Sequence, residues 1–264
     1  MSLRVTILGC GSSAGVPRVG SGWGAADPAN PKNRRRRCSI LVERLGAGGR
    51  TGVLVDMSPD LRDQLLGAAV DRLDSALVTH DHADHTHGID DLRPLVIHMR
   101  RRIPVFLDAE TGRVLRERFG YCFESPPGSG YPPILDEHRM TVSEPVVVDG
   151  AGGPVIAEPF RMEHGRTDAL GFRFGDLAYA SDVSALPPES LGRLHGLDTL
   201  IIDALRYTPH PTHFSVSEAL AVIAEVSPRR SVLTNLHTDL DYETLRRELP
   251  DGVEPAFDGM VLTP

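Results

Sequence analysis

Residues 79–85 read Thr79-His80-Asp81-His82-Ala83-Asp84-His85 and follow directly on the apolar Ala76-Leu77-Val78. Four side chains able to bind a metal, His80, His82, Asp84 and His85, fall within six positions. A helix would spread them around its circumference, and a continuing strand would set Asp84 and His85 on opposite faces. A loop leaving the end of a strand can fold them toward one place instead, His80 and His82 serving one ion and Asp84 and His85 its neighbour. Imidazole and carboxylate donors suit Zn, Mn or Fe.

The same context recurs downstream. His164 stands in Met162-Glu163-His164-Gly165, Asp182 in Tyr179-Ala180-Ser181-Asp182, and His237 beyond Val232-Leu233-Thr234, each behind a short strand-forming run. Strands are expected at 3–8, 39–43, 53–56, 75–78, 105–107, 146–148, 155–161, 171–174, 178–181, 199–202 and 231–234. Helices are expected at 59–69, 111–119, 215–226 and 242–249, with Ser215 and Glu218 set as a capping box. Many short strands, with helices of no more than about three turns, imply an α/β (α+β layered) chain: one domain over 1–264, two mixed sheets with helices outside. Two stretches read as loops. Residues 9–37 are rich in Gly, Pro, Ser and Asn and end in Arg34-Arg35-Arg36-Arg37, and residues 125–133, SPPGSGYPP, suit neither a helix nor a central strand.

The 264 residues carry 28 Lys+Arg against 36 Asp+Glu, a net charge of −8. Sequence-independent nucleic-acid binding needs clustered positive charge, so no long nucleic acid is expected as a partner. Lys32 is the only lysine; arginine's dominance goes with abundant Ala, Gly and Pro, and the Arg34–Arg37 run reads as a surface stripe or a loop anchored by carboxylates. No apolar run approaches the roughly 18 residues of a membrane span, and residues 1–8 form a strand pattern rather than a leader, so a soluble cytoplasmic protein is expected. Cys10, Cys38 and Cys122 are widely spaced, as reduced packing residues are.

His-x-His-x-Asp-His behind a strand resembles the signature of the metallo-β-lactamase superfamily, and His164, Asp182 and His237 complete the pattern in order. The resemblance covers nearly the whole chain. It implies an αββα sandwich with the site at one edge of the paired sheets, and two divalent metal ions, Zn or Mn. His80, His82 and His164 would hold one ion, Asp84, His85 and His237 the other, and Asp182 would bridge them. Asp56, behind Val53-Leu54-Val55, resembles the family's early buried Asp, which accepts a hydrogen bond from a ligating histidine.

Within the superfamily, Leu8-Gly9-Cys10-Gly11-Ser12-Ser13-Ala14-Gly15-Val16-Pro17 is similar to the glycine-rich opening of the phosphodiesterase branch, whose backbone N–H groups suit an anion. His213, in Pro211-Thr212-His213-Phe214-Ser215, resembles the extra histidine of that branch, which protonates the leaving oxygen. The likeness is closest to the PhnP-like group and includes Asn33–Ser39. Members of that group can carry a cysteine cluster for a structural zinc where this chain has Gly24, Ala25 and Ala26, so none is expected.

The resemblance implies hydrolysis of a small, cyclic or linear, nucleotide or ribose phosphodiester, with a hydroxide shared by the ions as nucleophile and Asp84 and His213 as catalytic residues. His87, Asp91 and Arg93, with Arg206 and Tyr207, are candidate substrate contacts, Arg93 through a phosphate. A homodimer is the commonest assembly of such chains. Two other readings fit the family. A tRNase Z-like endoribonuclease would need a basic arm, and no Lys or Arg lies between Phe119 and His138. A non-catalytic accessory role, similar to pyrroloquinoline quinone biosynthesis protein B, sits poorly with seven complete ligands. Five neutral histidines, two aspartates, two dications and a hydroxide sum to about +1, which suits one phosphate group better than a polyanion.

Overall fold

The computed structural model describes residues 2–264. Its strands are β1 (Ser2–Gly9), β2 (Ser39–Gly46), β3 (Gly49–Val55), β4 (Ser75–Leu77), β5 (Ile103–Leu107), β6 (Leu135–Arg139), β7 (Val146–Val148), β8 (Val155–His164), β9 (Thr167–Phe174), β10 (Leu177–Ala180), β11 (Thr199–Asp203), β12 (Arg230–Thr234), β13 (Val253–Pro255) and β14 (Val261–Leu262). The helices are α1 (Leu61–Gly67), α2 (Ala83–Thr86), α3 (Arg93–Met99), α4 (Ala109–Phe123), α5 (Pro188–Arg193), α6 (Val216–Val226) and α7 (Tyr242–Glu248). Two seven-stranded sheets result, in the orders β14-β1-β2-β3-β4-β5-β6 and β13-β12-β11-β10-β9-β8-β7. Each is mixed. β3 to β6 pair in parallel in the first sheet, as do β10 to β13 in the second, and the other neighbours are antiparallel.

The strands are apolar on both faces because each face has its own layer to meet. Val53 and Val55 of β3 point between the sheets, where Val5, Ile7, Val42, Phe172, Tyr179 and Ile201 also pack. Leu54 points outward and joins Leu61 and Leu65 of α1 and Leu115 of α4. In the second sheet Val232 faces the shared core, while Leu200, Ile202 and Leu233 face Ala219, Ile223 and Val226 of α6. This alternation yields helix, sheet, sheet, helix, the αββα sandwich of the metallo-β-lactamase fold.

Several elements differ from the sequence pattern. β6 is polar and partly exposed (Leu135-Asp136-Glu137-His138-Arg139), an edge strand without an alternating signal. β13 and β14 are too short for periodicity to show. α4 exceeds three turns because it continues through a kink at Phe119 (φ −130°, ψ 32°). α3 and α5 are also additional, and α3 has no buried residue to give it an apolar stripe. α6 starts behind Ser215, where the capping box with Glu218 is formed. Residues 125–133 belong to no helix or strand and are exposed except for Pro133.

The parallel strands β3, β4, β10, β11 and β12 end at one rim of the sandwich. Asp56, Thr79-His80, Asp182, Asp203 and Asn235 lie at or just beyond those ends. Crevices beyond the carboxyl ends of parallel strands are the usual place for ligands in such sheets.

Candidate metal centre and active site

Three residues at this rim adopt the left-handed backbone region: Asp56 (φ 65°), Asp182 (φ 54°) and Asn235 (φ 62°). Asp and Asn enter that region more readily than other side chains, because their short polar groups bond locally. The turn comes as the chain leaves each strand, and all three side chains are buried.

The motif itself is half loop and half helix. His80 and Asp81 lie in the loop after β4, His82 caps α2, and Asp84 and His85 belong to that single helical turn. The expectation of an all-loop arrangement is thus corrected; one turn is too short to spread the two side chains apart. His164 likewise is the last residue of β8 rather than a loop residue beyond it, since the β8–β9 hairpin pairs as far as His164 with Thr167.

Two groups of donors converge. In the first, ligand atoms of His80, His82, His164 and Asp182 lie within 4.8 Å of one another. Asp84, His85 and Asp182 form the second on the same criterion. Asp182 divides its oxygens between them. Oδ2 lies 3.9 Å from His80 Nε2 and 3.8 Å from His164 Nε2, while Oδ1 lies 3.2 Å from His85 Nε2. His85 Nε2 is also 3.4 Å from Asp84 Oδ2.

Hydrogen bonds at the outer ring nitrogens set the tautomers. His164 Nδ1 donates to the Thr212 carbonyl at 2.6 Å, which leaves the Nε2 lone pair facing inward. His85 Nδ1 donates to Asp56 Oδ2 at 2.7 Å. Thr79 Oγ1 donates to the Asp56 carboxylate at 2.9 Å and accepts from His80 Nδ1 at 2.9 Å. One buried carboxylate therefore orients two histidines, one of them through a hydroxyl. Such partners fix ring orientation and raise ligand basicity.

This donor set fits a divalent ion. His80 Nε2 is buried and has no hydrogen-bond partner in the protein, and a buried unsatisfied nitrogen is costly. Burial holds the His80 pKa well below the ordinary histidine value, so its lone pair is available. Burial also lowers His164. At Asp182 burial favours the neutral acid, but His85 and His80 outweigh it and hold the carboxyl well below its usual range. At His85 burial opposes charge, and Asp182, Asp56 and Asp84 overcome it. A buried, carboxylate-rich cluster of this kind attracts a cation to its centre.

His237 stands apart from the second group. Its Nε2 accepts a hydrogen bond from Arg18 Nη1 at 2.6 Å, and its Nδ1 donates to Asp239 Oδ1 at 2.6 Å. Because arginine only donates, the Nε2 lone pair of His237 is spent on Arg18, and that contact would have to give way before this nitrogen could join the second group.

His213 adjoins the first group, with its ring centroid 4.7 Å from that of His164. Its Nδ1 donates to Asp203 Oδ2 at 2.8 Å. Burial disfavours charge on His213, but the Asp203 hydrogen bond and charge, with Asp182 and Asp84, raise its pKa overall. Burial lifts Asp203 to about 7 against the pull of His213. Asn235 Nδ2 donates to Asp182 Oδ1 at 2.9 Å and lies 3.1 Å from His213 Nδ1. Asp203, Asn235, Thr79 and Arg18 are the site residues that the motif reading passed over. For Asp203 and Asn235 the signal was present, a polar residue directly ending an apolar strand.

The rim candidates are less central. Arg93 pairs with Asp90 at 2.9 Å, Arg206 donates to the Thr208 and Pro209 carbonyls, and the Tyr207 hydroxyl donates to Glu248 at 2.6 Å. His87 is exposed and packs edge-on against Phe119, and Asp91 is half-buried nearby. None of these five is among the converging donors.

The sandwich and its strand-end donors make this a metallo-β-lactamase-fold protein with a donor cluster able to hold metal. The chain belongs to the beta-lactamase superfamily, whose domain model matches residues 51–235, and within it lies near the PhnP family. A solved structure described as a new diphosphatase from the PhnP family shares 34% identity at a TM-score of 0.89, covering 100% of this chain and 98% of that one. An octanoyltransferase of Porphyromonas gingivalis is 34% identical over 98% of this chain but only 51% of its own length. A ribonuclease Z of Bradyrhizobium diazoefficiens is 33% identical over 54% of this chain and 46% of its own. The chain thus spans about half the length of the curated relatives it matches. Among the described residues, no helix is long and apolar enough to cross a membrane.

Proposed function

We propose that the protein is a binuclear metal-dependent phosphodiesterase acting on small nucleotide or ribose phosphodiesters, cyclic ones included. The observation that carries this reading is the division of the Asp182 oxygens between two donor groups, beside a histidine held by its own carboxylate. His80, His82 and His164 would hold one ion, Zn or Mn, and Asp84, His85 and His237 the other, with Asp182 between them. When bound, the ions supply Lewis-acid polarisation of the phosphoryl oxygens and an activated water.

The protein's own groups do the rest. Asp56 keeps His85 and, through Thr79, His80 in the ligating tautomer. Asp84, half-buried at the second group, orients the attacking water. Asp203 anchors His213 at Nδ1, so the ring can deliver its other N–H proton to the leaving alkoxide. Asn235 ties Asp182 to the same corner.

Substituting His213→Ala tests the acid role. Turnover of a diester with an alkoxide leaving group should fall by about 10²–10⁴-fold, and an activated aryl diester by much less. Equal loss on both substrates would remove His213 from the proton transfer. Equal activity on phosphomonoesters would count against a diesterase. Asp203→Asn should reproduce the selective loss in weaker form.

A second reading, cleavage of a diphosphate linkage, is favoured by the full-length match to a diphosphatase. A panel containing both a 2′,3′-cyclic diester and a diphosphate diester separates the two. Octanoyl transfer is a different reaction, and no cysteine is placed to carry an acyl group. Cys10, Cys38 and Cys122 are buried, and burial pushes all three thiols up. A ribonuclease Z activity would require an RNA grip, and the exposed 125–133 loop carries no cation.

A further inference from the structure

We infer that Arg18 seats an anionic oxygen of the substrate, an assignment that rests on the phosphoryl-ester reading above. Arg18 is carried on a short hairpin within the glycine-rich loop. Its backbone N–H donates to the Gly22 carbonyl at 2.8 Å, and Gly22 returns a bond at 2.9 Å. The hairpin is docked at both ends. Val16 and Arg35 exchange two backbone hydrogen bonds of 2.9 Å, and Ala25 N–H donates to the Thr238 carbonyl at 2.9 Å. Arg35, buried, donates to the carbonyls of His237 (3.1 Å) and Leu240 (2.6 Å), so the segments bearing Arg18 and His237 are tied together.

Arg36 and Arg37 of this loop are paired with carboxylates, Asp258 and Asp60, each at 2.9 Å, and Arg34 is exposed, 5.5 Å over the Trp23 ring. Arg93 and Arg206 at the rim are likewise engaged. Among the described residues, Arg18 has no carboxylate partner, and its buried Nε has no hydrogen-bond partner. Its guanidinium instead meets His237 Nε2, through Nη1 at 2.6 Å. A guanidinium carries five donors in a planar fork suited to phosphate oxygens. Arg18 thus brings a cation with spare donors to His237, two residues beyond the Asn235 that bonds Asp182.

The sole tryptophan, Trp23, is half-buried on the same loop and reports on it directly. The experiment titrates inorganic phosphate into metal-loaded wild type, Arg18→Ala and Arg18→Lys, following Trp23 fluorescence and inhibition of bis(p-nitrophenyl) phosphate hydrolysis, with metal content measured throughout. Arg18→Ala should weaken phosphate binding and raise KM by about 10–100-fold, with kcat changed less, and Arg18→Lys should recover part of the loss. Unchanged phosphate affinity in Arg18→Ala overturns the inference. So does loss of metal from that variant, which would make Arg18 a prop for His237. If Arg18→Ala fails to fold, Arg18→Lys against Arg18→Gln makes the same comparison. A wild type that binds phosphate yet cleaves no diester defeats the phosphodiesterase reading and leaves the Arg18 result standing.

Discussion

The two donor groups differ in what holds them. His80 lies in the short loop behind β4 and His164 ends β8, and their outer nitrogens are tied to Thr79 and to the Thr212 backbone. His85 is anchored as firmly, to Asp56. His237, by contrast, lies two residues beyond the left-handed Asn235, and its ring is held by Asp239 and Arg18. One group is thus preset by the sheets, and the other depends partly on how residues 9–37 dock against residues 237–241. Ions should accordingly leave in two steps under a chelator, the second group emptying first.

Asp182→Ala is the most severe way to break that comparison. Losing a hydrogen-bond partner of a ligand typically costs 10–100-fold in metal affinity, so losing the shared ligand should cost at least about 100-fold at both groups. Metal analysis of the purified variant checks this, and one ion retained at wild-type affinity would mean the carboxylate serves a single group. Asp56→Asn is gentler. It leaves a hydrogen-bonding oxygen near His85 but removes the charge, and should weaken metal binding on the order of 10–100-fold, chiefly at the second group. Equal losses in a stepwise chelator titration would show that the Thr79 relay to His80 carries as much as the direct bond.

Asp241→Asn probes only the loop side and should have the smallest effect. Asp241 Oδ1 accepts from Asn33 Nδ2 (2.7 Å) and Asp27 N–H (3.1 Å), and Oδ2 caps α7 at Thr244 N–H (3.0 Å). Burial pushes its carboxyl up, but these donors prevail and hold it at about 2, against an ordinary 3.8. A depressed folded-state pKa stabilises the protein above the unfolded value, and the contribution is lost as pH falls from about 4 through 2. The carboxylate is largely solvent-screened, so the variant should lose on the order of 1 kcal/mol at neutral pH. Thermal melts of both proteins at pH 7 and pH 2 measure it; a gap that persists at pH 2 would assign the effect to capping geometry rather than charge.

Much of this site was legible because its ligands are chemically conspicuous. His80, His82, Asp84 and His85 crowd one strand end, and His164 and Asp182 repeat that context. Asp203 and Asn235 end strands in the same way but carry no family motif, so only the fold reveals that they meet His213 and Asp182. Arg18 was hidden for a different reason. Its position depends on backbone pairing with Gly22 and Arg35 within an irregular loop, and periodicity has nothing to say there. The layers were readable from apolar runs that face two cores at once, whereas β6, α3 and the two-residue β14 bury too little on one face to leave a pattern.

The left-handed turns at Asp56, Asp182 and Asn235 also limit how this scaffold can be re-engineered. A left-handed backbone penalises most side chains by about 1–2 kcal/mol, so glutamate at position 182 (φ 54°) would meet a main-chain cost before any question of coordination arose. Glycine would relieve the backbone and discard the donor. Aspartate and asparagine therefore serve these three positions at the least backbone cost, although the chain also holds Ala69, Arg100 and Ser227 in that region. Attempts to change metal preference have more room at His80, His82 and His164, none of which has a positive φ.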